Sequence, residues 1–173
     1  MRGAVFFDRD GVVNVDHGYV YRIDQFEWIP GVAEAILAVK ASGRRAFLIT
    51  NQAGVARGYY DEAAIAALHA YMQDTLGAKG AAFDDIRYCP HHPAGVVARY
   101  ARACDCRKPG TGMIDSLTAA WPTDRARSGL IGDKDSDLKA AHRAGLGASR
   151  LFTGGDLREA VAGLLGELDA ITH

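Results

Sequence analysis

Three cysteines and a histidine stand in the pattern Cys89-x-His91-x12-Cys104-x-Cys106. Three thiolates and one imidazole complete a tetrahedral set for Zn²⁺, and a set with no open position is structural rather than catalytic. Three thiols cannot all pair within one chain, and in a cytosolic protein such a cluster reads as metal ligation before disulfide. The opposing reading is three unrelated buried thiols beside a loop histidine. His92 competes with His91 as the nitrogen ligand. Each short pair is too tight to close the sphere alone, so the metal would join the two ends of a loop. The residues between, His92 to Ala103, have little apolar content to fold unaided.

A second constellation is acidic. In Asp8-Arg9-Asp10-Gly11, two carboxylates one residue apart can face one space with Arg9 pointing away, and Gly11 lets the backbone turn behind them. Thr50-Asn51-Gln52 offers a hydroxyl and two amides; Lys108-Pro109-Gly110 offers an ammonium; Gly132-Asp133-Lys134-Asp135-x-Asp137 offers more carboxylates. Alone, each is ordinary: an acidic turn, a turn cluster, a solvated lysine, a helix start favoured by the dipole. Together, in this order, they call for a common scaffold.

The elements around them supply one. Arg2–Phe7, Ala46–Ile49, Ile86–Tyr88, Gly129–Ile131 and Ser149–Phe152 read as short buried strands. Helical patterns lie between and after them, from Pro30-Gly31 to Ser42, from an Asp61 cap to Gly77, over Met113–Ala120, Asp135–Ala144 and Leu157–Leu168. Alternating strands and helices predict an α/β, Rossmann-like fold: a parallel sheet with helices on both faces. Ligands in such sheets bind at the carboxyl ends of the strands, which is where the four polar segments fall. The Cys89–Gly110 connection is long for a segment without secondary structure, as functional or metal-held loops are. Trp28, Trp121, Met72, His69 and His142 read as packing or solvated-face residues.

With 173 residues the chain predicts a single domain, 1–173, able to bury roughly 70% of its unfolded surface without disulfides. A formal net charge of −1, from 20 Lys+Arg and 21 Asp+Glu, gives no basic footprint for nucleic acid or an anionic membrane. No apolar run approaches a membrane span or a signal peptide, so the expected setting is cytoplasmic.

Phe7–Asn14, Asp16-His17-Gly18-Tyr19, Thr50–Gly58, Cys89–Pro93, Cys104–Pro109 and Gly132-Asp133-Lys134 together resemble the haloacid dehalogenase (HAD) superfamily of phosphohydrolases over nearly the whole chain. The narrower likeness is to the D,D-heptose 1,7-bisphosphate phosphatases and the related histidinol-phosphate phosphatases. Val12 stands where many superfamily members carry Thr, a departure this subfamily shares. The resemblance implies that Asp8 is the nucleophile and forms an aspartyl-phosphate, and that Asp10 is the acid and then the base. It implies Mg²⁺ between Asp8, Asp133 and phosphate, with the Asp10 backbone carbonyl as a further ligand and Lys134 orienting the carboxylates. Thr50 and Lys108 would hold phosphoryl oxygens. Asp16, His17, Gly18, Tyr19, Asn51, Gln52, Ala53 and Arg107 would meet the substrate. Arg57 either meets a second phosphate or solvates a turn. His91 is favoured over His92 for zinc, which would stiffen the 89–106 loop and so place Arg107 and Lys108.

The implied activity is removal of the 7-phosphate of D-glycero-D-manno-heptose 1,7-bisphosphate, feeding ADP- or GDP-heptose precursors for the lipopolysaccharide core. The length leaves no room for the superfamily's cap domain, so loops must confer specificity. The partner is a small phosphosugar, and the chain is expected to be a monomer. The alternatives are a histidinol-phosphate phosphatase and a non-catalytic zinc-bearing binding module.

Overall fold

In the computed structural model, which describes residues 1–171, five strands form one parallel sheet in the order β3-β2-β1-β4-β5. They are β1 (Ala4–Phe7), β2 (Arg45–Asn51), β3 (Asp85–Cys89), β4 (Gly129–Gly132) and β5 (Ala148–Leu151). Between and after them run α1 (Val32–Ala41), α2 (Glu62–Gly77), α3 (Gly112–Ala120), α4 (Asp135–Arg143) and α5 (Leu157–Ile171). Every expected element is present. The last helix is one turn longer than its pattern, and a single 3-10 turn at Ile23–Gln25 was not foreseen.

Side chains alternate across a strand, so each strand feeds both faces of the sheet. Val5, Phe7, Ala46, Leu48 and Ile131 pack with α1, α5 and the end of α2, while Phe6, Phe47, Ile49 and Leu130 pack with α3 and α4. The two layers leave no face of β1 or β2 for solvent. Asp61 caps α2 by accepting from the Ala64 N–H at 2.9 Å. The register sets Phe7 opposite Leu48 and Ile131, so β1, β2 and β4 deliver their following residues to one edge. Among the described residues, no helix is long and apolar enough to cross a membrane.

The long connection after β3 corrects the expectation of a loop with little to hold it but metal. Val96 and Val97 donate backbone N–H groups to Ala56 O at 2.7 and 3.0 Å. Tyr100 and Val97 pack against Val55, Ala56 and Ile65. Tyr88 and Tyr100 both donate their hydroxyls to the Glu62 carboxylate at the start of α2. The middle of the loop is thus fastened to the segment after β2, independently of its cysteines.

Candidate active site

Lys108 lies at the centre of the strand edge. Its Nζ is 2.8 Å from Asp8 Oδ1, 2.6 Å from Asp137 Oδ1 and 3.0 Å from Ile49 O, and all three side chains are buried. The Arg9 backbone N–H also donates to Asp8 Oδ1, at 2.9 Å, so two donors fix that carboxylate. Asn51 holds the lysine's segment in place, accepting from Lys108 N at 2.9 Å and donating to Lys108 O at 3.1 Å. Gly11, at φ +87°, lets the chain pass under Asp133, where any Cβ would stand 2.1 Å from Asp133 Oδ2.

Asp8, Asp133 and Asp137 bring one carboxylate oxygen each within 4.8 Å of one another. Two of them share the Lys108 ammonium, and Asp133 Oδ1 is buried with no hydrogen-bond partner among the described residues. Burial pushes the Asp8 carboxyl up to about 8; Lys108 opposes that shift, while Asp137 and Asp133 add to it. This is a site short of positive charge and rich in hard oxygen donors, which fits Mg²⁺.

Asp10 is turned elsewhere. Arg9, expected to point away, is fully buried and folds its guanidinium back onto Asp10, with Nη2 3.0 Å from Oδ1 and 3.2 Å from Oδ2. The pleat that would have sent it outward ends with β1. Arg9 also donates to Val20 O at 2.6 Å and to His69 Nε2 at 3.2 Å. Burial and the neighbouring Arg9 pull His69 down to about 3, so its ring is neutral and accepts. Asn14 Nδ2 and Gln52 Nε2 complete the grip on Asp10, each at 3.0 Å. Any metal contact by this residue is left to its backbone carbonyl.

Above this floor opens a cleft of about 500 Å³ lined by Asp10, Asp16, Gly18, Tyr19, Asn51, Gln52, Ala53, Arg107, Lys108 and Lys134. Thr50 is buried beneath, joined to the lining through Gln52 at 2.9 Å. Two expected substrate residues stand outside. His17 pairs with Glu27 at 2.6 Å on the surface, and Arg57 is absent from the lining. Lys134, expected to orient the carboxylates, is exposed and its ammonium makes no ion pair among the described residues, while its backbone N–H donates to Asp137 Oδ2 at 3.1 Å. The ammonium that contacts the buried carboxylates is that of Lys108.

Asp137, Tyr60 and Ser136 were not singled out as site residues. Tyr60 and Ser136 line the cleft, and Asp137 lies on its floor. Asp137 follows Asp133 by four residues and is the third residue of α4, in the same acidic segment after β4, which was the available signal.

At the other side of Lys108, Cys89, His91, Cys104 and Cys106 bring their ligand atoms within 4.8 Å of one another. His91 presents Nδ1, at 3.3 Å from Cys106 Sγ and 3.6 Å from Cys89 Sγ. His92 instead accepts from the Ala94 N–H at 3.0 Å. The Cys106 thiol is pulled down to about 5, first by its hydrogen-bonded contact with the Cys89 thiol and then, against an opposing push from burial, by His91 and Cys104. A soft donor set of this kind, with one thiolate already favoured, fits Zn²⁺.

Comparison with known proteins gives a consistent result. Residues 105–166 match the HAD-hydrolase-like family. The chain is 48% identical over 156 residues to the D-glycero-beta-D-manno-heptose-1,7-bisphosphate 7-phosphatase of Rhodopseudomonas palustris, covering 90% of this chain and 86% of that one. It is 44% identical over 152 residues to the enzyme of the same name from Escherichia coli K12, covering 88% and 80%. Among solved structures, the D,D-heptose 1,7-bisphosphate phosphatase from B. bronchiseptica, complexed with magnesium and phosphate, is similar with a TM-score of 0.80 at 32% identity, covering 95% of this chain and 99% of that one.

Proposed function

The chain belongs to the HAD-type family of D-glycero-beta-D-manno-heptose-1,7-bisphosphate 7-phosphatases, and we propose that it removes the 7-phosphate of that sugar through an aspartyl-phosphate on Asp8. The observation that carries the mechanism is the Lys108 ammonium, shared by Asp8 and Asp137 at the closed end of a cleft whose wall bears Arg107. Phosphate esters hydrolyse extremely slowly unaided, so the site must supply both a nucleophile and positive charge. Mg²⁺, held by Asp8 and Asp133 beside Asp137, would supply the charge that lets a carboxylate approach an anionic phosphate.

The chain's own groups account for the remaining steps. The Asp8 carboxylate attacks phosphorus as Asp10 gives its proton to the departing sugar oxygen; Asp10 then takes a proton from the water that attacks the phosphoenzyme. Thr50 and Lys108 hold the phosphoryl oxygens as charge shifts onto them. A non-catalytic module is disfavoured, because Asp8, Asp10, Thr50, Lys108 and Asp133 are all present and gathered at one strand edge.

The second phosphate has a place in this reading. Arg107 Nη1 and Arg57 Nε are both buried without a partner among the described residues, and after burial itself both guanidinium groups lower the pKa of His92, so they share one neighbourhood. We assign Arg107 to the 1-phosphate, with Arg57 behind it outside the lining. Cys89, His91, Cys104 and Cys106 would hold Zn²⁺, which would fix the end of the loop that carries Arg107 and Lys108. Asp16, Gly18, Tyr19, Asn51 and Ala53 surround the sugar, in place of a cap. With this activity go the expectations of a cytoplasmic monomer whose product is activated to a nucleotide sugar.

The test is kcat/KM on the α and β anomers of heptose 1,7-bisphosphate, fructose 1,6-bisphosphate and histidinol phosphate, with ³¹P spectra to identify the phosphate lost. The β-heptose bisphosphate, cleaved at C7, is expected to be the best substrate. A higher kcat/KM for histidinol phosphate would overturn the substrate assignment.

A further inference from the structure

The buried Gln52 touches two groups that the reaction uses. Its Nε2 lies 3.0 Å from Asp10 Oδ2 and 2.9 Å from Thr50 Oγ1. An amide donates from nitrogen and accepts at oxygen, so what its far end meets decides which face it shows the catalytic groups. The far end meets Tyr60, whose hydroxyl stands 2.5 Å from Gln52 Oε1. Tyr60 is stacked on Tyr21 at 5.0 Å and 13°. Gly54 makes room for the ring, since a Cβ there would stand 2.1 Å from it. Burial pushes the phenol up to about 12, so it remains a donor across the working pH range.

We propose that Tyr60 is a positioning residue: by donating to Gln52 Oε1 it turns the amide nitrogen toward Asp10 and Thr50, and thereby orients the Asp10 carboxyl and the Thr50 hydroxyl hydrogen. Thr50 Oγ1 accepts from Gln52, which frees its own hydrogen for a phosphoryl oxygen. On Asp10, Oδ1 accepts from Arg9 Nε, Arg9 Nη2 and Asn14 Nδ2, whereas Oδ2 accepts only from Arg9 Nη2 and Gln52. Oδ2 is the less heavily bonded oxygen, so it is the one whose surroundings the Gln52 amide sets. A reversed amide would draw the Thr50 hydrogen inward and set Oε1 against a carboxylate. The inference rests on the phosphatase reading for the roles of Asp10 and Thr50.

Tyr60→Phe keeps the ring and its stacking and removes only the hydroxyl. Gln52→Met keeps volume and removes both polar ends, and the two substitutions together make a double-mutant cycle. Turnover is measured with Mg²⁺ on the heptose bisphosphate and on p-nitrophenyl phosphate, whose leaving group needs little protonation. Tyr60→Phe is expected to lower kcat on the sugar ester about tenfold or more, with a smaller loss on the aryl ester and KM within about threefold. In the Gln52→Met background, Tyr60→Phe is expected to change kcat less than about twofold. Wild-type kcat in Tyr60→Phe, or the same loss with and without Gln52, would overturn the proposal. Wild-type protein inactive on both esters would instead refute the phosphatase reading itself.

Discussion

The ammonium of Lys108 stands 2.8 Å from the carboxylate of Asp8, a contact that spans 100 residues of sequence and is buried on both sides. The proposed nucleophile and the proposed phosphate-binding cation are therefore already in contact in the protein alone. The same ammonium neutralises Asp137, so removing it leaves two buried carboxylates facing each other. Lys108→Met should cost about 3–5 kcal/mol in the magnesium-free protein, the usual loss when one partner of a buried pair is removed. That is a fall of roughly 6–20 °C in Tm. Saturating Mg²⁺ should recover part of it by binding the folded state. Thermal scans with and without Mg²⁺ check both statements, and an unchanged Tm would show that the pair is not buried in solution.

The Asp8 carboxyl gives a pH dependence whose sign follows from its shift. Its folded value of about 8 lies above the ordinary value of 3.8, so the folded state holds the proton more tightly than the unfolded chain. That contribution to stability is present in full below 3.8 and is lost as pH rises through about 8. Mg²⁺ needs the deprotonated form, so its stabilising effect should grow over the same window. The rise in Tm caused by saturating Mg²⁺ should be larger at pH 8 than at pH 5. A shift independent of pH would count against Asp8 as a ligand.

Cys104→Ser should lose near-stoichiometric zinc without unfolding the sheet, whose apolar layers are complete without the metal. Because Val97 and Tyr100 are docked on Val55, Ala56 and Ile65, the loosening should concentrate on 101–108 rather than on the whole loop. Activity should fall through misplacement of Arg107 and Lys108. Hydrogen exchange resolves the pattern: loss of protection throughout the strands would mean that zinc holds the fold.

Much of this was legible beforehand, and the exceptions have a common cause. Strands and helices follow from apolar periodicity, and the site segments from their position after strands. What escaped is set by partners distant in the chain. Arg9 looked outward because a strand alternates, yet its partners Val20 and His69 lie 11 and 60 residues away. Asp137 read as helix-start chemistry, which it performs with one oxygen on Lys134 N while the other meets Lys108. His17 sits in a segment matching the subfamily but is taken up by Glu27.

Arg107→Ala should lower kcat/KM for the bisphosphate by the worth of a charge-assisted contact, on the order of 2–3 kcal/mol. A sugar carrying only the 7-phosphate should lose much less. Equal losses on the two substrates would move Arg107 from the second phosphate to the reacting one.

The most direct test of the central claim, that Asp8 carries the phosphoryl group and Asp10 handles the protons, is acid-quench trapping with ³²P-labelled p-nitrophenyl phosphate. Asp10→Asn should still be phosphorylated, because this leaving group departs without help, but its phosphoenzyme should hydrolyse roughly 10²–10⁴ times more slowly for want of a base. Label should accumulate on a peptide containing Asp8, and none should appear in Asp8→Asn. Labelling that persists in Asp8→Asn, or full turnover by that variant, would contradict the account.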